Sequence, residues 1–178
     1  MKVIVPLVFL AGIITLVILF LPNNSLISGN TLNLNSTAFE NNGEIPSKYT
    51  CDGENTNPPL SISGVPAKTK SLVLIMYDKD SLEKEFSHWV VFNMKPTLTE
   101  IPINSQEGKF GVNNWNKKEY SGPCPPQNST HNYVFHLYAL NTVPIFSPTT
   151  PITREVVESK IKNKVIDEAE LTGFYSRI

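Results

Sequence analysis

Three histidines, a short acidic run and one proline-rich cysteine loop are the residues whose types can carry chemistry in this sequence. Asp78 and Asp80 sit where an apolar run, residues 71–78, gives way to loop residues, a place where functional side chains are often held. His88 opens a second such run, HWVVFNM, and His131 opens a third, HNYVFHLYAL. Tyr133 lies two residues beyond His131 and shares its face of a strand, whereas His136 has the opposite parity. An imidazole beside a carboxylate can be oriented as a base, or can hold an anion when protonated. A metal centre using both His131 and His136 would need a bulge, and the thiols lack close ligand spacing, so no metal site is expected. The loop YSGPCPP, residues 120–126, has three prolines that fix φ and supply no N–H. Its remaining N–H groups, among them those of Gly122 and Cys124, are candidates to face a bound anion.

Cys51 and Cys124 are the only cysteines. In an oxidising compartment they form a disulfide candidate; two unlinked thiols are the alternative. As a free thiolate, Cys124 would be a nucleophile beside a His131 base and an Asp78 orienter. No G-x-S-x-G, G-x-G-x-x-G, P-loop, H-E-x-x-H or C-x-x-C pattern is present, so no other enzyme template and no cofactor is implied.

The elements that must position these residues read mainly as β. On residues 71–78, alternation places Leu72, Leu74, Met76 and Asp78 on one face and Val73, Ile75 and Tyr77 on the other. Both faces are apolar, as in a central strand covered on two sides. The same alternation places His88, Val90, Phe92 and Met94 together on the second run. One amphipathic helix is expected over 154–169, capped by Thr153, with Val157, Ile161 and Val165 as its buried stripe.

The 178-residue chain carries a formal charge of −1, and Lys2 is the only charge before Glu40. Residues 3–22 hold no charge and are almost wholly apolar, long enough at about 1.5 Å per residue to span a bilayer core of about 30 Å. Residues 1–22 therefore read as a transmembrane signal anchor, or as a cleaved signal peptide. Residues 23–37 read as a polar linker and 38–178 as one domain. Either N-terminal reading places the domain on the extracytoplasmic side, membrane-anchored or secreted. The near-neutral balance supplies no basic stripe for nucleic acid.

Seven pieces in register then resemble the phosphatidylethanolamine-binding protein family, in its shorter bacterial and archaeal, Raf-kinase-inhibitor-like form. They are YTCDGEN (49–55) with Pro58-Pro59-Leu60, Gly64-Val65-Pro66, Asp78-Lys79-Asp80, HWVVFN (88–93), YSGPCPP (120–126), His131-Asn132-Tyr133 and AELTG (169–173). The resemblance implies a β-sandwich with a large antiparallel sheet and a few peripheral helices. It also implies a small pocket for phosphate, other small anions or a phospholipid headgroup. Residue by residue, Asp78, His88, His131 and Tyr133 resemble the pocket residues, and Gly122, Cys124 and Pro125 the pocket wall. A binding protein is the expectation. An inhibitor acting on a protease or kinase by protein contact is the alternative, and a hydrolase ranks behind both. Two prolines usual after the pocket aspartate are absent here, where the sequence is DKDSL, and Asn132 stands where an Arg is usual.

Overall fold

The computed structural model describes residues 31–82 and 85–178. In chain order the strands are β1 (Asn33–Ser36), β2 (Gly43–Glu44), β3 (Leu60–Ser63), β4 (Ser71–Asp78), β5 (Phe86–Met94), β6 (Glu100–Ile101), β7 (Lys109–Phe110) and β8 (Ser129–Leu140). The helix α1 (Arg154–Ile161) and the strand β9 (Val165–Arg177) follow, and a 3-10 turn (Ser47–Tyr49) precedes β3. The strands form a six-stranded sheet, β2-β9-β8-β4-β5-β7, and a three-stranded sheet, β1-β3-β6. Pairing is antiparallel except at the β2–β9 edge, which is parallel. Among the described residues the architecture is thus mainly β with one α-helix.

The two apolar faces of β4 explain this layering. Leu72, Leu74 and Met76 pack with Leu34, Leu60, Ile62 and Ile101 of the small sheet. Val73, Ile75 and Tyr77 pack on the other side with Val157 and Ile161 of α1. Every β4 residue is buried, because the strand is flanked by β5 and β8 and covered on both faces. Each such aliphatic side chain contributes about 1.5–3 kcal/mol by leaving water.

Three expectations are corrected. The helix ends at Ile161, and Val165 begins β9 instead of extending the helical stripe. Residues 165–177 alternate in burial and pair with β8 almost throughout, so cross-strand bonding outweighs the local helical preference of Asp-Glu-Ala-Glu. The Thr153 cap is present, its hydroxyl accepting from the Val156 N–H. Residues 33–36, assigned to the linker, form β1; Leu34 is buried between the sheets and anchors them. Finally, His88 does not share a face with Val90 and Phe92. Met76 pairs with Trp89 and Tyr77 with Ser87, so His88 is one extra residue in β5, a β-bulge. A second irregularity, at Asn93 with φ +57°, likewise moves Met94 to the face of Trp89 and Val91. The apolar segment 3–22 lies outside the described residues, and among those described no helix is long and apolar enough to cross a membrane.

Candidate functional site

The site is built at the end of β4 where its side-chain alternation runs out on a carboxylate. Asp78 pairs with Phe86 on β5 and with Tyr133 on β8, so three strands converge there. His131, two residues before Tyr133, reaches the same face, and its Nδ1 lies 2.7 Å from Asp78 Oδ2. The bulge in β5 turns His88 onto this face as well, where its ring meets the edge of Tyr133 at a centroid distance of 5.1 Å. Asp78, His88 and His131 thus line one open cavity of about 490 Å³, together with Asp80, Phe86, Trp115, Cys124 and Pro125. Tyr133 lies fully buried beneath it.

His88 is 2% exposed and boxed by aromatic rings, with Trp115 at 4.8 Å and Phe86 at 5.7 Å between centroids. Burial dominates its protonation and lowers its pKa from 6.5 to about 4. Its Nδ1 sits 2.7 Å from the Ser121 carbonyl oxygen and 3.1 Å from that of Gly122. Carbonyl oxygens only accept, so Nδ1 carries the proton. The expected histidine donor therefore points into the protein wall at this residue, and the neutral ring presents an acceptor. The Tyr133 hydroxyl is held above the usual tyrosine range, by burial first and then by the Asp78 charge, and stays a neutral phenol.

Asp80 and Asn132 set the outer edge. One Asp80 carboxylate oxygen accepts from both the backbone N–H and the side-chain amide of Asn132, each at 2.7 Å. Burial works against the charge, but these two bonds and then the His131 charge hold the Asp80 carboxyl below the ordinary range. The Asp80 N–H in turn donates to Asp78 Oδ1 at 2.9 Å, so both oxygens of Asp78 are engaged. Lys79 is exposed and does not line the cavity.

The 121–126 wall is fixed from behind. A Cys51–Cys124 disulfide joins it to the segment after the 3-10 turn, with the two Cα atoms 5.4 Å apart. With Cys124 so bonded, the thiolate route to a nucleophile is closed. A Cβ on Gly122 would lie 2.3 Å from the Tyr49 carbonyl oxygen, so only glycine fits this approach. The Gly122 N–H donates to Asn55 Oδ1 at 2.7 Å and is not free for an anion, contrary to expectation. Asp52 adds an outer clasp, accepting from Arg177 and from the Tyr175 hydroxyl.

Sequence reasoning missed Trp115. The buried Asn113 positions it: Oδ1 accepts from the N–H groups of Trp115 and Lys117, and Nδ2 donates to the His88 and Glu119 carbonyls. A lone Trp in the polar loop NNWNKK was the one available signal. A separate concavity of about 320 Å³ beside Asn55 and Tyr120 contains no histidine, whereas the Asp78 cavity brings two histidines together with two carboxylates.

Known proteins share both this fold and much of this sequence. The family profile "PBP: Phosphatidylethanolamine-binding protein" matches residues 35–176. A UPF0098 protein of Methanothermobacter thermautotrophicus is 43% identical over 153 residues, covering 82% of this chain and 99% of that one. One from Archaeoglobus fulgidus is 40% identical over 149 residues, 79% of this chain and 50% of the relative. Among solved structures, a phosphatidylethanolamine-binding protein homolog from Chlamydia trachomatis superposes with a TM-score of 0.78 at 35% identity, covering 84% of this chain and 99% of the other. Escherichia coli YbcL, described as a member of the mammalian PEBP family, gives 0.76 at 26% identity, with 83% and 99% covered. The seven sequence pieces, the layered fold and these matches agree, and the chain belongs to the phosphatidylethanolamine-binding protein family.

Proposed function

We propose that this chain is a non-enzymatic binding protein whose Asp78–His88–His131 cavity takes a small phosphate-bearing ligand, either free or as a phospholipid headgroup. The observation that carries this reading is the convergence of the three side chains on one open cavity. In a protonated His131, Nε2 is an N–H donor toward a phosphate oxygen, and Asp78 stabilises that charged ring from behind. Phe86, Trp115 and Pro125 supply apolar walls, which suit the carbon portion of a headgroup. The apolar segment 3–22 and the disulfide support a domain working outside the cytoplasmic membrane, tethered or released.

The test is nuclear magnetic resonance of the imidazole groups during titration with phosphorylethanolamine. Movement of the His88 and His131 signals is expected. Unchanged shifts at millimolar ligand overturn the reading.

A further inference from the structure

The polarity of the cavity is not that of an ordinary anion site. Among the described residues no Lys or Arg lines it, and two carboxylates, Asp78 and Asp80, do. Its two imidazoles both have Nδ1 committed inside the protein, His88 to the Ser121 and Gly122 carbonyls and His131 to Asp78. A ligand therefore meets the Nε2 side of each ring. On His88 that nitrogen is a lone pair, because the ring is neutral and its single proton sits on Nδ1. It has no hydrogen-bond partner among the described residues, and the ring lines the cavity. On His131 the same nitrogen becomes a donor when the ring is protonated against Asp78.

An acceptor and a donor side by side suit a ligand that has one proton to give and one oxygen to receive. A fully deprotonated oxyanion would place its lone pairs against the His88 lone pair and beside two carboxylates. Nor is His88 readily converted to a donor. The titratable groups facing it are Asp78 from β4 and His131 and Tyr133 from β8, while Phe86 of its own strand and Trp115 of the 113–121 loop are uncharged. The Asp78 charge favours protonation, yet burial outweighs it.

We propose that the cavity selects oxyanions that still carry a proton, namely phosphate and phosphomonoesters as monoanions, with the P–OH donating to His88 Nε2 and another oxygen accepting from His131 Nε2–H. This rests on the phosphate-binding reading above and narrows it, because the phosphate of an intact phospholipid is a diester and falls outside the rule, which leaves free phosphate and phosphomonoesters. Sulfate has the same tetrahedral shape but no proton near neutral pH, and phosphodiesters likewise have none to give. A buried acceptor left without its donor is the kind of mismatch that gives strong discrimination. Inorganic phosphate and a phosphomonoester headgroup share the required chemistry.

The test is calorimetric titration of the full chain in neutral detergent with inorganic phosphate, phosphorylethanolamine, sulfate and glycerophosphorylethanolamine, from about pH 7.5 to about 5.5, a range that spans the second pKa of about 6 of a phosphomonoester. Phosphorylethanolamine is expected to bind and to weaken about tenfold per unit above that pKa. Inorganic phosphate, which keeps its second proton to higher pH, is expected to bind and to weaken only toward the top of the range. Sulfate and the diester are expected to bind about 100-fold more weakly or worse. The pH dependence of sulfate serves as the control for ionisation of the protein itself, since that ion brings no proton. Histidine ¹⁵N spectra of the unliganded protein should show His88 protonated on Nδ1 alone. His88→Asn, which keeps a donor for the two carbonyls and removes Nε2, should collapse the phosphate-over-sulfate preference. Equal binding of all four ligands, or a His88 proton on Nε2, overturns the selection rule and leaves the binding function standing. Binding of none overturns both. Preferential binding of phosphate over phosphorylethanolamine, or the reverse, identifies the source while upholding the rule.

Discussion

At the scale of single residues, the site depends on which hydrogen each imidazole holds and how deeply it is buried. His88 keeps its ring neutral in the folded chain down to about pH 4, whereas in the unfolded chain it titrates near 6.5. The unfolded state therefore binds the extra proton first as pH falls, and stability is lost between those two values. The shift corresponds to about 3 kcal/mol, present above pH 6.5 and gone below pH 4. Urea melts at both ends of that window should show His88→Asn losing about 3 kcal/mol less than the wild type. Equal losses would mean that His88 is not the group responsible. Asp78, His88 and His131 stood out in the sequence at the ends of apolar runs, but it was the resemblance to the family's motifs that pointed to their lining one cavity, as they do. The direction of each imidazole was not legible. It depends on the carbonyls of Ser121 and Gly122, whose placement a one-dimensional reading does not provide.

At the scale of elements, β4 was readable because both of its faces are apolar and its period is uninterrupted. β5 was readable as a strand but not in phase, since a bulge leaves no mark in composition. α1 was found and its start was right, while its end was overrun because the acidic stretch after Ile161 suits a helix locally and is claimed by β8. The cap at Thr153 is a clean test of the part that holds. Thr153→Ala removes the acceptor for the Val156 N–H and should cost about 1 kcal/mol in chemical denaturation. The cavity should be unaffected, because α1 packs on the opposite face of the large sheet. Arg154 fastens that helix by pairing with Glu85 and Glu158 and stacking on Tyr77 at 4.2 Å.

At the scale of the whole molecule, one sheet with unlike coverings on its two faces organises everything else. The mainly-β class and the cavity's strand ends followed from the sequence, whereas the loop 113–121 that brings Trp115 over His88 did not, because polar loops have no period to read. The Cys51–Cys124 link bridges segments 73 residues apart and closes the cavity wall. Replacing both cysteines with serine should lower stability by up to about 4 kcal/mol, the loop-entropy limit, and should loosen the 121–126 wall. Urea midpoints and amide exchange in that segment read both effects, and unchanged exchange would show that the wall is held by Gly122 and Tyr120 alone. Because His88 is one residue out of step with the rest of β5, the site behaves like a reading frame. Deleting Ser87 would restore strict alternation and put His88 opposite Tyr77, in the layer that faces α1. A change in count by one, with every chemical group of the cavity still encoded, would then be expected to abolish the proposed phosphate binding.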